Sequence, residues 1–171
     1  MLLSETVKVA PRFQRAIRID TDFGDIKALE GFICPESSKQ SLEQICGHIS
    51  STGQSAFTWT GPYGCGKSSL AIALGAVLKG KSAERKKHAK FLGNDLSENI
   101  WKSITPGNKG REIVPLVGYR EQPHKAILEG LIQHRLTDLK TNATEKQVLK
   151  EIINIAQKDK KSGGLVLILD E

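Results

Sequence analysis

A glycine-rich octapeptide decides the fold: Gly61-Pro62-Tyr63-Gly64-Cys65-Gly66-Lys67-Ser68. A short stretch with strand character, residues 56–60, runs straight into it, and an apolar run typical of a buried helix, residues 67–79, follows it. Its three glycines permit unusual backbone angles and leave no side chain in the way of a ligand. The octapeptide is therefore predicted to form a loop between a strand and a helix, with its backbone N–H groups directed into a concavity.

The spacing of the octapeptide, G-x-x-x-x-G-K-[ST], predicts binding of the phosphates of a nucleoside triphosphate together with Mg²⁺. Lys67 is expected to reach the β- and γ-phosphates, and Ser68 to ligate Mg²⁺ through its hydroxyl. ATP is preferred to GTP because the sequence has no guanine-reading motif such as N-K-x-D. The alternatives are a chance match and a degenerate loop that no longer binds. The predicted nucleotide-binding residues are Gly61, Pro62, Tyr63, Gly64, Cys65, Gly66, Lys67, Ser68 and Ser69.

A second motif stands at the other end of the sequence, where an apolar run from Leu165 to Leu169 leads into Asp170 and Glu171. Such a run is typical of a central strand that delivers carboxylates to the phosphate site. Asp170 is expected to hold the Mg²⁺, through water. Glu171 is expected to orient and deprotonate the attacking water. The alternative for Glu171 is a fraying terminal residue without a role.

Together the two motifs resemble the Walker A and Walker B elements of P-loop NTPases. The Asp170–Glu171 pair is similar to the additional-strand catalytic-glutamate division, which includes the AAA+ ATPases, and residues 59–78 loosely resemble ATPases of bacterial genome-defence and DNA-processing systems. The resemblance covers residues 31–171. It implies a three-layer α/β sandwich, catalytic roles for Lys67 and Glu171, ATP and Mg²⁺ as cofactors, and a homo-oligomer.

Two departures from that pattern stand out. Lys67 and Asp170 are 103 positions apart, which is longer than in a compact AAA+ core. The family's sheet order is 5-1-4-3-2, and this sequence supplies strands 1 (56–60), 2 (112–118) and 3 (165–169) but no strand 4. The chain is therefore expected to be the N-terminal part of a larger ATPase, and in isolation it is expected to lack full activity.

Strands alternating with helices predict an α/β fold with a parallel sheet. Residues 1–30 form an N-terminal segment of uncertain structure. Residues 31–171 are the predicted nucleotide-binding domain, with a helical and basic insert at about 81–109. Pro115 lies inside the strand predicted over 112–118, and since proline donates no hydrogen bond this strand is expected at a sheet edge.

Composition favours a soluble globular protein of one domain: 39% of the 171 residues are hydrophobic and 26% are charged. The longest apolar stretch, Leu70 to Leu78, is too short to cross a membrane. No signal peptide is visible, and three cysteines without C-x-x-C spacing predict neither a disulfide framework nor a zinc site. A cytoplasmic protein with no membrane association is expected.

Positive charge is concentrated in one stretch of a chain whose formal net charge is +6. The stretch contains one acidic residue, Glu84, and six basic residues. The basic residues are Lys79, Lys81, Arg85, Lys86, Lys87 and Lys90. Such a cluster is suited to a phosphate backbone. The alternative is a solvated loop or helix face without a partner.

The leading functional hypothesis is an ATPase module that couples hydrolysis to movement of a DNA or protein partner within an oligomer. A nucleotide-dependent switch with slow or no hydrolysis is the second hypothesis. A small-molecule phosphotransferase is the third, although a glutamate directly after Asp170 is less expected there. The isolated chain as a weak binder without catalysis also stays open.

Overall fold

The computed structural model describes residues 16–105, 109–118, 120–158 and 164–170, which form an α/β fold with a parallel sheet. The α-helices are α1 (Ile19–Asp22), α2 (Glu36–Thr52), α3 (Lys67–Leu78), α4 (Ser82–His88), α5 (Asn94–Ile104), α6 (Pro123–Gln133) and α7 (Glu145–Lys158). Two 3-10 turns span Ile26–Leu29 and Ala89–Phe91. The strands are β1 (Glu112–Val117) and β2 (Leu165–Asp170).

The sheet consists of β1 and β2, paired in parallel with Glu112 opposite Leu165 and Val117 opposite Asp170. Alternate side chains of each strand pack into two different hydrophobic cores, because successive residues of a strand point to opposite faces. Ile113 lies in the core around α3, whereas Val114 lies in the core beneath α6 and α7. Helices therefore cover both faces of β1, which explains why this strand reads as a nearly continuous apolar run, whereas β2 is only partly buried.

Helix α3 is the centre of the larger core. Ala73 and Val77 are fully buried, and Leu70 and Leu74 on its other sides are also buried. A helix that is apolar nearly all round has no face to present to water, so it must be enclosed by other elements. The elements that pack against it are α1, α4, α5 and the 3-10 turn at Ile26–Leu29. This enclosure fixes the position of the glycine-rich loop that precedes α3.

Local signals in the sequence set several helix boundaries. Pro123 occupies the first turn of α6, where its missing N–H costs nothing. At the start of α7, the backbone N–H of Thr144 donates to Gln147 Oε1 at 2.8 Å. Gly53 ends α2 in the left-handed conformation, with φ of 72°.

The predicted insert at about 81–109 contains α4, the second 3-10 turn and α5 within its described part, and it packs beside α3. Arg85, counted among the surface charges of the basic cluster, is buried. Its Nη1 donates to Thr105 Oγ1 at 3.0 Å, and its guanidinium lies over the Trp101 ring. Arg85 is thus a structural residue, and the charge that the cluster presents to solvent comes from its lysines.

The strand predicted over 56–60 is wrong, since these residues form no strand. Of the five, Trp59 is partly buried against the larger core, and its neighbours are exposed. A cavity of about 860 Å³ is lined by most of segment 53–61 and by every residue of β2. Since a strand needs a hydrogen-bonded neighbour about 4.8 Å away, residues 56–60 do not become part of the sheet.

The described part of the chain begins with two short helical elements. Residues 16–30 form α1 and the first 3-10 turn, and both pack against α3. The first half of the predicted N-terminal segment, residues 1–15, lies outside the described ranges, as does Glu171. Within those ranges, no helix combines the length and the apolar character that crossing a membrane requires.

Candidate functional site

Two of the three glycines in the glycine-rich loop have a left-handed backbone conformation. Gly64 and Gly66 adopt φ angles of 78° and 87°, a region that disfavours residues with a Cβ atom. A Cβ at either position would meet no atom within 4 Å, so the space beside the loop is open. The two glycines therefore bend the chain and leave its backbone accessible.

The loop leads directly into the N-terminus of α3, with Gly66 as the N-cap residue. Leu70 is the first residue whose N–H donates back along the helix, to Gly66 O at 2.9 Å. Among the described side chains, none caps this end of α3. The amides of Lys67, Ser68 and Ser69 thus have no acceptor within the described part of the chain, and they lie at the positive end of the helix dipole, which is a favourable place for an anion.

The ammonium group of Lys67 lies across the loop. Its Nζ donates hydrogen bonds to Gly61 O at 3.0 Å and to Pro62 O at 3.1 Å. These bonds hold the positive charge on the first two residues of the loop. Because an ammonium group has three rotatable donors, the same nitrogen can exchange carbonyl partners for phosphate oxygens with a small side-chain movement.

Ser68 and Asp170, the two predicted magnesium ligands, are in direct contact. Ser68 Oγ donates a hydrogen bond to Asp170 Oδ2 at 2.6 Å, although 102 positions separate them. Asp170 is the last residue of β2, and Ser68 lies in the first turn of α3. The parallel sheet thus directs the carboxyl end of β2 to the amino end of α3.

The donor set at this contact fits a hard cation. Mg²⁺ prefers oxygen ligands and is usually held by one or two protein groups, with water and phosphate oxygens completing its octahedron. A hydroxyl and a carboxylate meet that requirement, and the described residues contain no larger cluster of acidic, histidine or cysteine side chains that could hold a metal by itself. Glu171, predicted as the catalytic base, lies outside the described residues.

The remaining predicted loop residues are mostly on the surface. Pro62 is exposed, and Tyr63 is 95% exposed, so its ring is free to lie against a bound molecule. Cys65 is exposed and its Sγ lies 3.9 Å from Lys67 Nζ. Ser69 is half-buried in the first turn of α3.

Sequence reasoning missed the cavity that adjoins this loop. Gly61, Lys67 and Asp170 line one part of it, and the cavity extends from them along the whole of β2. Trp59 also lines the cavity, and its buried Nε1 has no hydrogen-bond partner among the described residues. No local pattern signals this cavity, because it arises from the distance between two segments that are far apart in the chain.

Comparison with known proteins gives no relative for this chain. No protein-family model matches the sequence, and neither the curated proteins nor the solved structures yield a match.

Proposed function

We propose that this chain binds ATP with Mg²⁺ on the glycine-rich loop and hydrolyses it, as a P-loop NTPase of the AAA+-like kind. The phosphates would lie against the free amides at the start of α3, with Lys67 on the β- and γ-phosphates. Ser68 and Asp170 would hold the Mg²⁺. Glu171 would activate the attacking water, and turnover would drive movement of a partner within an oligomer.

The contact between Ser68 and Asp170 carries this proposal. Loop and helix geometry favours any anion, but a hydroxyl and a carboxylate 2.6 Å apart at the same place add a site for a cation. A nucleoside triphosphate with Mg²⁺ is a ligand that presents an anionic phosphate group and a cation side by side. The G-x-x-x-x-G-K-[ST] spacing assigns the same roles to Lys67 and Ser68.

The arrangement of the sheet also supports the proposal. In the strand order of the resembled division, strands 2 and 3 are neighbours, and here β1 and β2 pair in parallel. That order places a further strand between strands 1 and 3, and the cavity lies between the corresponding segments, 53–61 and β2.

Titrating the chain with ATP, once with Mg²⁺ and once with EDTA, tests the proposal by calorimetry. Lys67→Ala is expected to weaken binding at least about tenfold in both conditions, because a hydrogen bond from a charged group contributes roughly 1.5–3 kcal/mol. Ser68→Ala and Asp170→Asn are expected to remove the gain that Mg²⁺ gives and to leave the EDTA affinity nearly unchanged.

Matched controls are Lys125→Ala and Asp138→Asn, which change the same kinds of side chain at exposed positions outside the loop. Absence of ATP binding by the unaltered chain would refute the proposal, and so would equal affinities in Lys67→Ala and Lys125→Ala. Phosphate release, measured alongside, separates hydrolysis from a nucleotide-dependent switch. Glu171→Gln is expected to retain binding and to abolish release.

A further inference from the structure

The lysines around α4 form a second charged surface, remote from the glycine-rich loop. This basic surface consists of six exposed lysines: Lys79, Lys81, Lys86, Lys87, Lys90 and Lys109. Arg85 and Ala89 are buried, which turns Lys86, Lys87 and Lys90 to the outer side of this segment. Lys109 precedes Gly110, whose backbone lies against that of Gly80, between Lys79 and Lys81.

The charges of the basic surface are not neutralised within the described part of the chain. Its ion pairs join Arg18 to Asp20 and Lys39 to Glu36, and none includes a lysine of this surface. Glu84 is the one acidic residue between Lys79 and Lys90, and its carboxylate accepts the backbone N–H of Lys81 at 3.0 Å. The ammonium groups therefore remain available to an external anion.

The chemistry of the surface favours phosphates of a regular backbone over other anionic partners. No large apolar side chain is exposed between residues 79 and 93, so the surface has nothing to insert into a lipid layer. The ring of Phe91 is partly buried against the larger core and Lys90 Nζ lies over it, so the segment offers no open ring on which a single-stranded base would stack. Lysine is depleted at protein–protein interfaces, which rely on aromatic and arginine anchors. Lysines act as point charges that contact phosphates without reading sequence.

We propose that the basic surface binds the phosphate backbone of a double-stranded nucleic acid. The surface begins where α3 ends, and the glycine-rich loop lies at the opposite end of this twelve-residue helix, about 18 Å away at 1.5 Å per residue. A duplex and a nucleotide can therefore bind at the same time without contact. Coupling between the two rests on the proposed function, whereas duplex binding does not require it.

Fluorescence anisotropy with a labelled duplex of mixed sequence, without nucleotide, tests this proposal over a range of NaCl concentrations. The triple variant Lys86→Ala, Lys87→Ala, Lys90→Ala is compared with Lys125→Ala, Lys146→Ala, Lys150→Ala, which removes three exposed lysines from α6 and α7 and gives the same net charge. The first variant is expected to bind at least about tenfold more weakly, and its slope of log K against log[salt] is expected to flatten by about 2.7.

Three results would overturn the proposal: no duplex binding by the unaltered chain at 50 mM NaCl, equal losses in the two triple variants, or binding to phosphatidylserine vesicles in preference to duplex. Parallel titrations with DNA and RNA duplexes identify which source of the backbone is preferred. Circular dichroism of both triple variants shows whether each is folded. Since the duplex assay contains no nucleotide, failure of ATP binding and failure of duplex binding are separate outcomes.

Discussion

Gly66 combines two constraints in one position, since it ends the loop and caps α3 with φ of 87°. Gly66→Ala is expected to lower the free energy of unfolding by roughly 1–2 kcal/mol, because a side chain disfavours the left-handed region. Chemical denaturation measures this change. Under the proposed function ATP binding should weaken as well, since relief of the strain would change the directions of the amide N–H groups of the loop.

Gly47→Ala is the matched control for that substitution. Gly47 is exposed within α2, has no positive φ, and its added methyl group would meet nothing within 4 Å. Here alanine is expected to raise the free energy of unfolding by about 0.5–1 kcal/mol through its higher helix propensity. If both substitutions stabilised the protein, the left-handed conformation of Gly66 would be contradicted.

His134 follows α6 and reports on the charge around it. Burial lowers the pKa of His134 below its usual value, the positive charge of Lys79 lowers it further, and Glu112 partly opposes both. Lys79→Ala is therefore expected to raise the pKa of His134 without restoring it fully, as measured by an NMR titration. Lys125→Ala, at an exposed position of α6, should leave it unchanged.

The direction of that shift also fixes the pH dependence of stability. A histidine whose folded pKa is lowered binds fewer protons in the folded than in the unfolded state. Stability should therefore fall as the pH drops below about 6.5, and the fall should end once the pH is below the lowered folded pKa. In His134→Gln this part of the pH dependence should disappear, and an unchanged profile would contradict the role of burial.

The elements that the sequence predicted well are those whose pattern is local. Helix α3 is apolar on every side, and β2 is an apolar run bounded by Gly164 and Asp170, so their boundaries are within a residue or two of the prediction. Segment 56–60 has the same local appearance of a strand. It fails to become one because strand formation depends on a partner, and partners are set by the whole chain.

Close packing of α6 on β1 depends on Gly130. A Cβ at this position would overlap the side chain of Leu116 and lie 2.9 Å from Val114 Cγ1. Gly130→Ala is therefore expected to lower the free energy of unfolding by about 1–3 kcal/mol, despite the better helix propensity of alanine. A denaturation midpoint equal to or above that of the unaltered chain would show that α6 does not approach the sheet so closely.

In the candidate site, too, the individual residues could be predicted from local patterns, whereas the contacts between distant residues could not. Spacing alone predicted roles for the loop, Lys67 and Ser68, and the end of an apolar run predicted a role for Asp170. The contact between Ser68 and Asp170, which are 102 positions apart, could be expected only from a resemblance, because it depends on β2 ending beside the start of α3. The burial of Arg85 was not predictable from its neighbours, since Lys86 and Lys87 beside it are exposed.

The cavity between segment 53–61 and β2 leads to a prediction about the molecule as a whole. Within the described structure, the amides of residues 57–60 donate no hydrogen bond, whereas β1 and β2 form a parallel ladder. Hydrogen exchange should therefore be fast at residues 57–60 and slow at the paired amides of β1 and β2, because exchange requires opening of a hydrogen bond where one exists. Protection at 57–60 equal to that of the ladder would mean that this segment has found a strand partner, and that the sheet in solution is wider than two strands.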